Sequence, residues 1–171
     1  MQNFTFTPSE EMESGIKVPF LEEARSSFAP YYDQRDKNDL KVKEQIYAEM
    51  AKLSAGNIIF QEGHFGDTPK RHGYIVRFTL GGLPARMLVA GLPIRDGVTP
   101  LKILRVRLQA LYVMRDWLKA AVTSQVFSPG NHPLIQFLLV DGQRTLAQVV
   151  IEDRHLPNTN PVLMSGNGNH S

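Results

Sequence analysis

Apolar residues recur every three or four positions along two stretches of this chain, which is the spacing of a helix with one buried face. In the first stretch, residues 39–54, the recurring positions are Val42, Ile46, Tyr47, Met50 and Leu53. Asn38 or Asp39 is suited to cap its first turn, because both side chains accept hydrogen bonds from free backbone N–H groups. The pattern therefore predicts a first helix that ends before Gly56.

The second stretch, residues 99–122, predicts the longest helix of the chain. Thr99 suits the N-cap and Pro100 the first helical position, where its missing N–H would have no partner in any case. The apolar positions cover more than the narrow stripe of an ordinary surface helix. They are Ile103, Leu104, Val106, Leu108, Ala110, Leu111, Val113, Met114, Trp117, Leu118, Ala121 and Val122. We expect a sheet on one flank, and a second helix, the N-terminal region or another subunit on the other.

Two pairs of apolar segments predict β-hairpins. "YIVRFTL" and "ARMLVAGL" lie on either side of "GGLP", and Gly81 and Gly82 tolerate the positive φ of a tight turn. "PLIQFLLV" and "RTLAQVVI" lie on either side of Asp141 and Gly142, a turn signal of the same type. Ahead of the first pair, "NIIF" indicates a short strand, and residues 61–73 are predicted to form a loop.

The order of these elements predicts an α+β domain. We expect a single antiparallel sheet built from the two β-hairpins, with the long central helix packed on it and a shorter N-terminal helix. Residues 1–36 are expected to form an extended arm, because they lack periodicity yet contain several aromatic side chains. Residues 37–157 are expected to form the domain, and residues 158–171 a disordered tail.

The order of a helix, three strands and a long helix resembles in outline a double-stranded RNA-binding domain, whose last helix also begins with basic residues. The resemblance is one of architecture. That family has a glycine-serine-lysine-lysine run before its last helix, whereas this chain has "RDGVTPLKILR". Two further predicted strands also follow the helix here.

Composition narrows the class of protein. The chain has 171 residues, of which 42% are hydrophobic, and a formal net charge of +2. These values suit one domain with its own core, and they permit an anionic partner without requiring one. The absence of cysteine excludes disulfides and a cysteine nucleophile. No signal peptide and no run of ~20 apolar residues is evident, so we expect a cytoplasmic protein that does not enter a membrane.

The first hairpin holds the first candidate site. Its register pairs Arg77 with Arg86 on one face, where directly opposed like charges destabilise a sheet. An anion between the two guanidinium groups would reverse this effect, because arginine binds phosphates and carboxylates with paired hydrogen bonds. Lys70 and Arg71, just before the hairpin, would extend the site.

Two alternatives weaken this hypothesis. Pro84 could shift the register by one residue and separate the arginines. Each arginine could also pair with a carboxylate such as Glu62 or Asp67.

The long helix carries two further arginines, Arg107 and Arg115, on the flanks of its apolar face. An unpaired buried guanidinium would cost several kcal/mol, so each needs a partner or a route to water. The expected partners are Asp141, Glu152 and Asp153, which would fix the helix to the second hairpin. The alternative is that the two arginines line a groove for phosphates.

The polar stripe of the same helix is the third candidate. Lys102, Arg105 and Lys119, with Gln109 and Tyr112, would form a basic surface in which the tyrosine could stack on a base. The cations near the helix N-terminus oppose the helix dipole, which favours anions there. The alternative is an ordinary solvated helix face.

A metal site is a further alternative. Glu62, His64, Asp67 and His72 are possible ligands within eleven residues, but their spacing matches no compact metal signature. We therefore predict no metal site and no cofactor. The chain also lacks G-x-S-x-G, P-loop and H-E-x-x-H motifs, so a non-enzymatic role is favoured.

These patterns predict a small nucleic-acid-binding protein that uses a basic hairpin and a basic helix stripe. The predicted contact residues are Lys70, Arg71, Arg77, Arg86, Lys102, Arg105, Tyr112 and Lys119. The alternative is an interaction or assembly module, with a protein partner or a second copy bound by the apolar helix face and the N-terminal arm. An enzyme that acts on a small anionic substrate is the third possibility.

Overall fold

The computed structural model describes residues 18–24, 38–66 and 69–154. The described part has an α+β fold with three helices and one three-stranded antiparallel sheet. Its elements are α1 (Asp39–Lys52), β1 (Ala55–Phe65), β2 (Arg71–Leu80), β3 (Leu83–Ala90), α2 (Pro100–Phe127), a 3-10 turn (Ile135–Phe137) and α3 (Leu146–Arg154). The strand order is β1-β2-β3.

Both predicted helices begin at the predicted caps. The side chain of Asn38 accepts a hydrogen bond from the backbone N–H of Lys41, and that of Thr99 accepts one from Lys102. Pro100 occupies the first turn of α2. Local hydrogen-bonding chemistry therefore fixes where these two helices begin.

The first hairpin is confirmed in its turn and in its register. Gly81 and Gly82 have φ values of 58° and 80°, which L-residues with a side chain rarely adopt. Arg77 pairs with Arg86, and Pro84 pairs directly with Thr79, so the proline causes no shift. The two arginines therefore lie opposite each other on one face of the sheet.

The predicted loop over residues 61–73 is wrong. β1 continues to Phe65, and β2 begins at Arg71, which pairs with Phe65. Gly63 and Gly73, which suggested a loop, lie opposite each other inside the ladder. A Cβ on Gly73 would lie 2.0 Å from the carbonyl oxygen of Val89, so glycine here permits close approach of two strands rather than a turn.

The second predicted hairpin is also wrong, although a turn does form at Asp141 and Gly142. Only the bridge between Leu139 and Thr145 joins its two sides. The chain then enters α3, because Thr145 and Gln148 form a reciprocal cap. The Thr145 N–H donates to Gln148 Oε1 at 2.8 Å, and the Gln148 N–H donates to Thr145 Oγ1 at 3.3 Å. This capping box stabilises a helix where the apolar pattern suggested a strand.

The core lies between one face of the sheet and helices α1 and α2. Alternating residues of β2 and β3 point into it, together with apolar residues of both helices. Those with at most 4% of their surface exposed include Tyr74, Val76, Phe78, Ala85, Met87, Val42, Ile46, Met50, Leu108, Leu111, Met114 and Leu118. Helix α2 contacts β2 and β3 on one side and α1 on another, so α1 supplies the second covered flank.

Residues 18–24 pack beside the N-terminal half of α2. Leu21 is buried with Ile94 and Val106, and its N–H donates to the carbonyl oxygen of Pro93 at 2.8 Å. The remainder of the predicted arm, the predicted disordered tail over residues 158–171, and Asp67 lie outside the described residues. The domain limits therefore stay a prediction.

No helix in the described part of the chain is long and apolar enough to cross a membrane.

Candidate functional site

The paired arginines of the first hairpin have different surroundings. Arg77 is exposed, whereas only 7% of the surface of Arg86 is exposed. The Nη2 group of Arg86 donates to the carbonyl oxygen of Gln143, which lies in the turn before α3. Burial and the charge of Arg77 lower the pKa of Arg86, and the negative charge of Asp141 partly offsets this effect by raising it. Arg86 therefore connects β3 to this turn, and Arg77 is the member of the pair that is open to solvent.

The two basic residues before the hairpin differ in the same way. Lys70 is exposed. Arg71 donates from Nε to the carbonyl oxygen of Gly91 at 3.0 Å and from Nη2 to that of Ala90 at 3.4 Å, and burial lowers its pKa. Arg71 therefore connects the start of β2 to the end of β3.

The predicted stripe on α2 is interrupted. Lys102 donates to Glu22 Oε1 at 2.8 Å and also to the carbonyl oxygen of Asp96. Gln109 is buried, with 5% of its surface exposed. The remaining basic members, Arg105 and Lys119, are exposed, so the two accessible cations lie on either side of a covered middle section.

Tyr112, the aromatic member of the stripe, is half-buried. The guanidinium carbon of Arg115 lies 4.6 Å from the centroid of its ring. This distance is within the range of a cation–π contact. One face of the ring is therefore occupied by an arginine of its own helix.

Arg107 and Arg115 have partners other than those predicted. Arg107 Nη1 lies 2.7 Å from Glu62 Oε2, and Arg115 Nη2 lies 2.7 Å from Asp116 Oδ1. Arg115 Nη1 also donates to Gln45 Oε1 at 3.2 Å. The contact with Glu62 joins α2 to β1, and the contact with Gln45 joins α2 to α1. The two arginines therefore connect α2 to the rest of the domain, as expected, but through partners other than those predicted.

The predicted partners Asp141 and Glu152 are used elsewhere. Both bind Arg144, at 2.7 Å and 2.8 Å. The hydrogen bonds from Arg144 and from the backbone N–H of Gln143 lower the pKa of Asp141. These carboxylates therefore hold the turn before α3 and not the long helix, because the predicted second hairpin does not form.

Four of the predicted contact residues share one property. Lys70, Arg77, Arg105 and Lys119 are exposed, and among the described residues no carboxylate lies within ion-pair distance of any of them. Other basic side chains of the described part do have such partners: Lys43, Lys52, Arg95, Lys102, Arg107, Arg115 and Arg144. The charges of the four residues are therefore not neutralised within the described structure.

The extended strands bring together two histidines that the sequence placed in a loop. His64 and His72 are directly opposed across β1 and β2, and their ring centroids lie 6.0 Å apart. His72 is buried, and its Nε2 atom has no hydrogen-bond partner. Burial lowers the pKa of His72, and the charges of Arg107, His64 and Lys70 lower it further. We call His64, His72, Arg107 and Lys70 the histidine cluster.

The groups around the histidine cluster carry both signs of charge. Tyr74, the next core-facing residue of β2, is buried, and burial, Glu62 and Asp39 raise its pKa to about 12. Lys43 of α1 lies 5.0 Å from the centroid of the Tyr74 ring and 3.1 Å from Asp39 Oδ2. Alternation of side chains along the strands could have indicated this shared face, had residues 61–73 been recognised as strand.

The metal hypothesis has limited support in this geometry. Within the described ranges, no three possible ligand side chains lie close enough to hold an ion. Glu62 is engaged by Arg107, and Asp67 is not among the described residues. The positive charges of Arg107 and Lys70 also disfavour a cation beside His72.

A shallow apolar groove of about 460 Å³ lies between the 3-10 turn and α3. Its apolar walls are formed by Pro133, Ile135, Leu146, Ala147, Val150 and Ile151.

Comparison with known proteins gives no relative: no protein-family model, no curated protein and no solved structure matches the chain.

Proposed function

We propose that this protein binds nucleic acid through its phosphate backbone. The observation that carries the proposal is that Lys70, Arg77, Arg105 and Lys119 are exposed cations without a carboxylate partner among the described residues, a property that Lys41 of α1 shares. When lysine and arginine side chains contact the phosphates of a nucleic acid, counterions are released. Such contacts supply most of the affinity of sequence-independent binding. The order of α1, three antiparallel strands and α2 also supports it, by analogy of architecture with double-stranded RNA-binding domains.

The positions of the cations suggest how a strand would lie. Arg105 and Lys119 are fourteen positions apart on one side of α2, which corresponds to about 21 Å along the helix. A strand with ~3.4 Å between phosphates would place about six phosphates along this distance. Arg77 is on the sheet face opposite the helices, because its neighbours Val76 and Phe78 point into the core. The proposal therefore assigns the main contact to α2, and Arg77 is outside it.

The test is a fluorescence-anisotropy titration with single- and double-stranded oligonucleotides over a series of salt concentrations. Wild-type affinity should fall linearly with salt on a double-logarithmic plot. Replacing Arg105 and Lys119 together with alanine should reduce the magnitude of the slope by about 2, or roughly 1 for each lost phosphate contact. Lys52→Ala is the matched control, because Lys52 is an exposed helix cation that already has a partner, Glu49.

Two outcomes would contradict this proposal. Wild-type protein that binds no oligonucleotide in a salt-dependent way would exclude backbone binding. A double variant with an unchanged salt slope would exclude α2 as the contact surface.

We propose assembly with a second copy or with a protein partner as the alternative function. The observation that favours it is the exposed apolar C-terminal end of α2, where Val126 is 74% and Phe127 is 84% exposed. Val113 and Trp117, farther back on the same helix, are also exposed. Large exposed apolar side chains often mark an interface where they form a contiguous patch.

Sedimentation velocity over a range of protein concentrations tests self-association. Replacing Val126 and Phe127 with serine should shift the protein towards the monomer, whereas Val140→Ser, at another exposed apolar position, should not. Assembly by apolar contact should also persist at high salt, unlike phosphate binding. A wild-type monomer at all concentrations would leave only a different protein as the partner.

A further inference from the structure

We propose that the histidine cluster, formed by His64, His72, Arg107 and Lys70, binds a phosphate group. The proposal concerns a different surface from Arg105 and Lys119, and it does not require that the protein bind nucleic acid. The phosphate could belong to a nucleic-acid backbone or to a free phosphate or phosphomonoester, since the recognising chemistry is the same.

The first observation is a pair of buried nitrogen atoms without partners, both of which are donors when His72 is protonated. His72 Nε2 and Arg107 Nε are both buried and have no hydrogen-bond partner. His72 is 8% exposed, so its ring cannot readily satisfy Nε2 with bulk water. Buried polar groups in folded proteins nearly always have a partner, and an exception calls for a ligand or an ordered solvent molecule.

The second observation is the sign of the charge around these donors. Arg107, His64 and Lys70 each act on His72 as a positive charge. The structure thus gathers four potential cations at the end of β1 and β2, of which Arg107 is the one with a carboxylate partner among the described residues, so a further anion would reduce their mutual repulsion. A phosphate has enough oxygen atoms to accept hydrogen bonds from several of these donors at once.

The Glu62 carboxylate competes with a phosphate for the guanidinium group of Arg107. This carboxylate contacts Arg107 Nη1 and leaves Arg107 Nε without a partner. The Glu62 side chain is 52% exposed, and ion pairs with this degree of exposure contribute little to stability. A phosphate can therefore compete with the Glu62 carboxylate for Arg107, and a phosphate bound there would lie in the same cluster as His72 and Lys70.

The other charged groups near the cluster neutralise Arg107 but leave His64, His72 and Lys70 without a carboxylate partner among the described residues. Asp39 and Lys43 of α1 form an ion pair at 3.1 Å. Glu62 of β1 is paired with Arg107. Tyr74 of β2 has a raised pKa, so it is neutral in the range where histidines titrate. A bound phosphate should therefore favour the protonated form of His72 and raise its pKa from the lowered value.

The experiment is an NMR titration of the histidine ring resonances of the full chain with inorganic phosphate, with sodium chloride at matched ionic strength as the reference. Saturating phosphate should raise the pKa of His72 by about 1 unit relative to chloride. Lys70→Ala should weaken phosphate binding several-fold without changing the melting temperature, because Lys70 is exposed. Lys52→Ala, on a different part of the surface, should have no effect on either quantity.

Arg107→Lys keeps the positive charge but removes the Nε donor, so it should also weaken phosphate binding. A His72 titration curve that is the same in phosphate and in chloride would overturn the proposal, whatever the variants do.

A parallel NMR titration with an oligonucleotide identifies the source of the phosphate. A shift of the His72 resonances with both inorganic phosphate and an oligonucleotide supports a site for the nucleic-acid backbone. A shift with inorganic phosphate alone supports a site for a free phosphate or phosphomonoester. Oligonucleotide binding that leaves His72 unaffected, together with no response to inorganic phosphate, would overturn this proposal while leaving nucleic-acid binding intact.

Discussion

The two arginines paired across β2 and β3 show how one residue type takes different roles at adjacent positions. Arg77 is exposed and Arg86 is buried, although the two are direct cross-strand neighbours. The contact from Arg86 to the Gln143 carbonyl oxygen crosses from the sheet to the turn before α3. A buried guanidinium that makes such a contact contributes to the stability of the fold, whereas an exposed guanidinium is available to bind a ligand.

We therefore expect opposite results from two alanine substitutions. Arg86→Ala should lower the free energy of unfolding by about 2 kcal/mol, because it removes a largely buried guanidinium and its hydrogen bond to the Gln143 carbonyl oxygen. Arg77→Ala should change it by less than about 0.5 kcal/mol, or increase it slightly as like-charge repulsion is relieved. Urea unfolding of both variants measures this difference, and equal losses would show that Arg77 also has a structural role.

At the scale of elements, local chemistry predicted some boundaries and not others. The caps at Asn38 and Thr99 and the Gly81-Gly82 turn could be recognised because each depends on a few adjacent residues. The strand reading of residues 144–151 failed because short apolar runs fit either a strand or a helix. There the decisive signal was the Thr145 and Gln148 cap.

The glycines of β1 and β2 were misread for a different reason. Glycine favours turns in a sequence, but within a ladder it also permits two backbones to approach closely. Gly63 and Gly73 are cross-strand partners, but of the two only Gly73 lies so close to a neighbouring backbone that a Cβ atom would collide with it. This requirement comes from β3, which the local sequence around Gly73 does not reveal.

The two paired glycines give a matched test of this explanation. A Cβ on Gly73 would lie 2.0 Å from Val89 O, whereas nothing lies within 4 Å of a Cβ on Gly63. Gly73→Ala should therefore destabilise the protein by about 3 kcal/mol or prevent folding, since backbone atoms must move. Gly63→Ala should have a small effect of either sign. Thermal unfolding followed by circular dichroism compares them, and a tolerated Gly73→Ala would show that β2 and β3 separate easily.

At the scale of the whole molecule, the candidate site depends on contacts that no local pattern contains. The sequence indicated which side chains are basic, but not which of them have partners. Lys102 binds Glu22, eighty positions away, and Arg107 binds Glu62 on β1. The exposed, unpaired subset could be identified only after these long-range contacts had been assigned.

The same contacts join residues 18–24 to the start of α2. Glu22 accepts hydrogen bonds from Lys102 Nζ at 2.8 Å and from the backbone N–H of Arg95 at 3.2 Å. Burial raises the pKa of Glu22, but these hydrogen bonds outweigh burial and lower it to about 2. The folded protein therefore stabilises the ionised form of Glu22 relative to the protonated form.

This shift predicts a specific loss of stability in acid. Because the folded-state pKa of Glu22 is below its unfolded value, the contribution of Glu22 is fully present above about pH 4.5 and is lost as the pH falls towards about 2. Urea unfolding at a series of pH values should show wild type more stable than Glu22→Gln near neutral pH, with the difference disappearing in acid. Lys102→Ala should reduce this pH-dependent part, because it deletes one donor to the carboxylate and leaves the backbone N–H of Arg95 in place. A wild-type advantage that stays constant down to about pH 2 would mean that Glu22 acts through packing alone, and that residues 18–24 are held to α2 by Leu21 and its apolar neighbours.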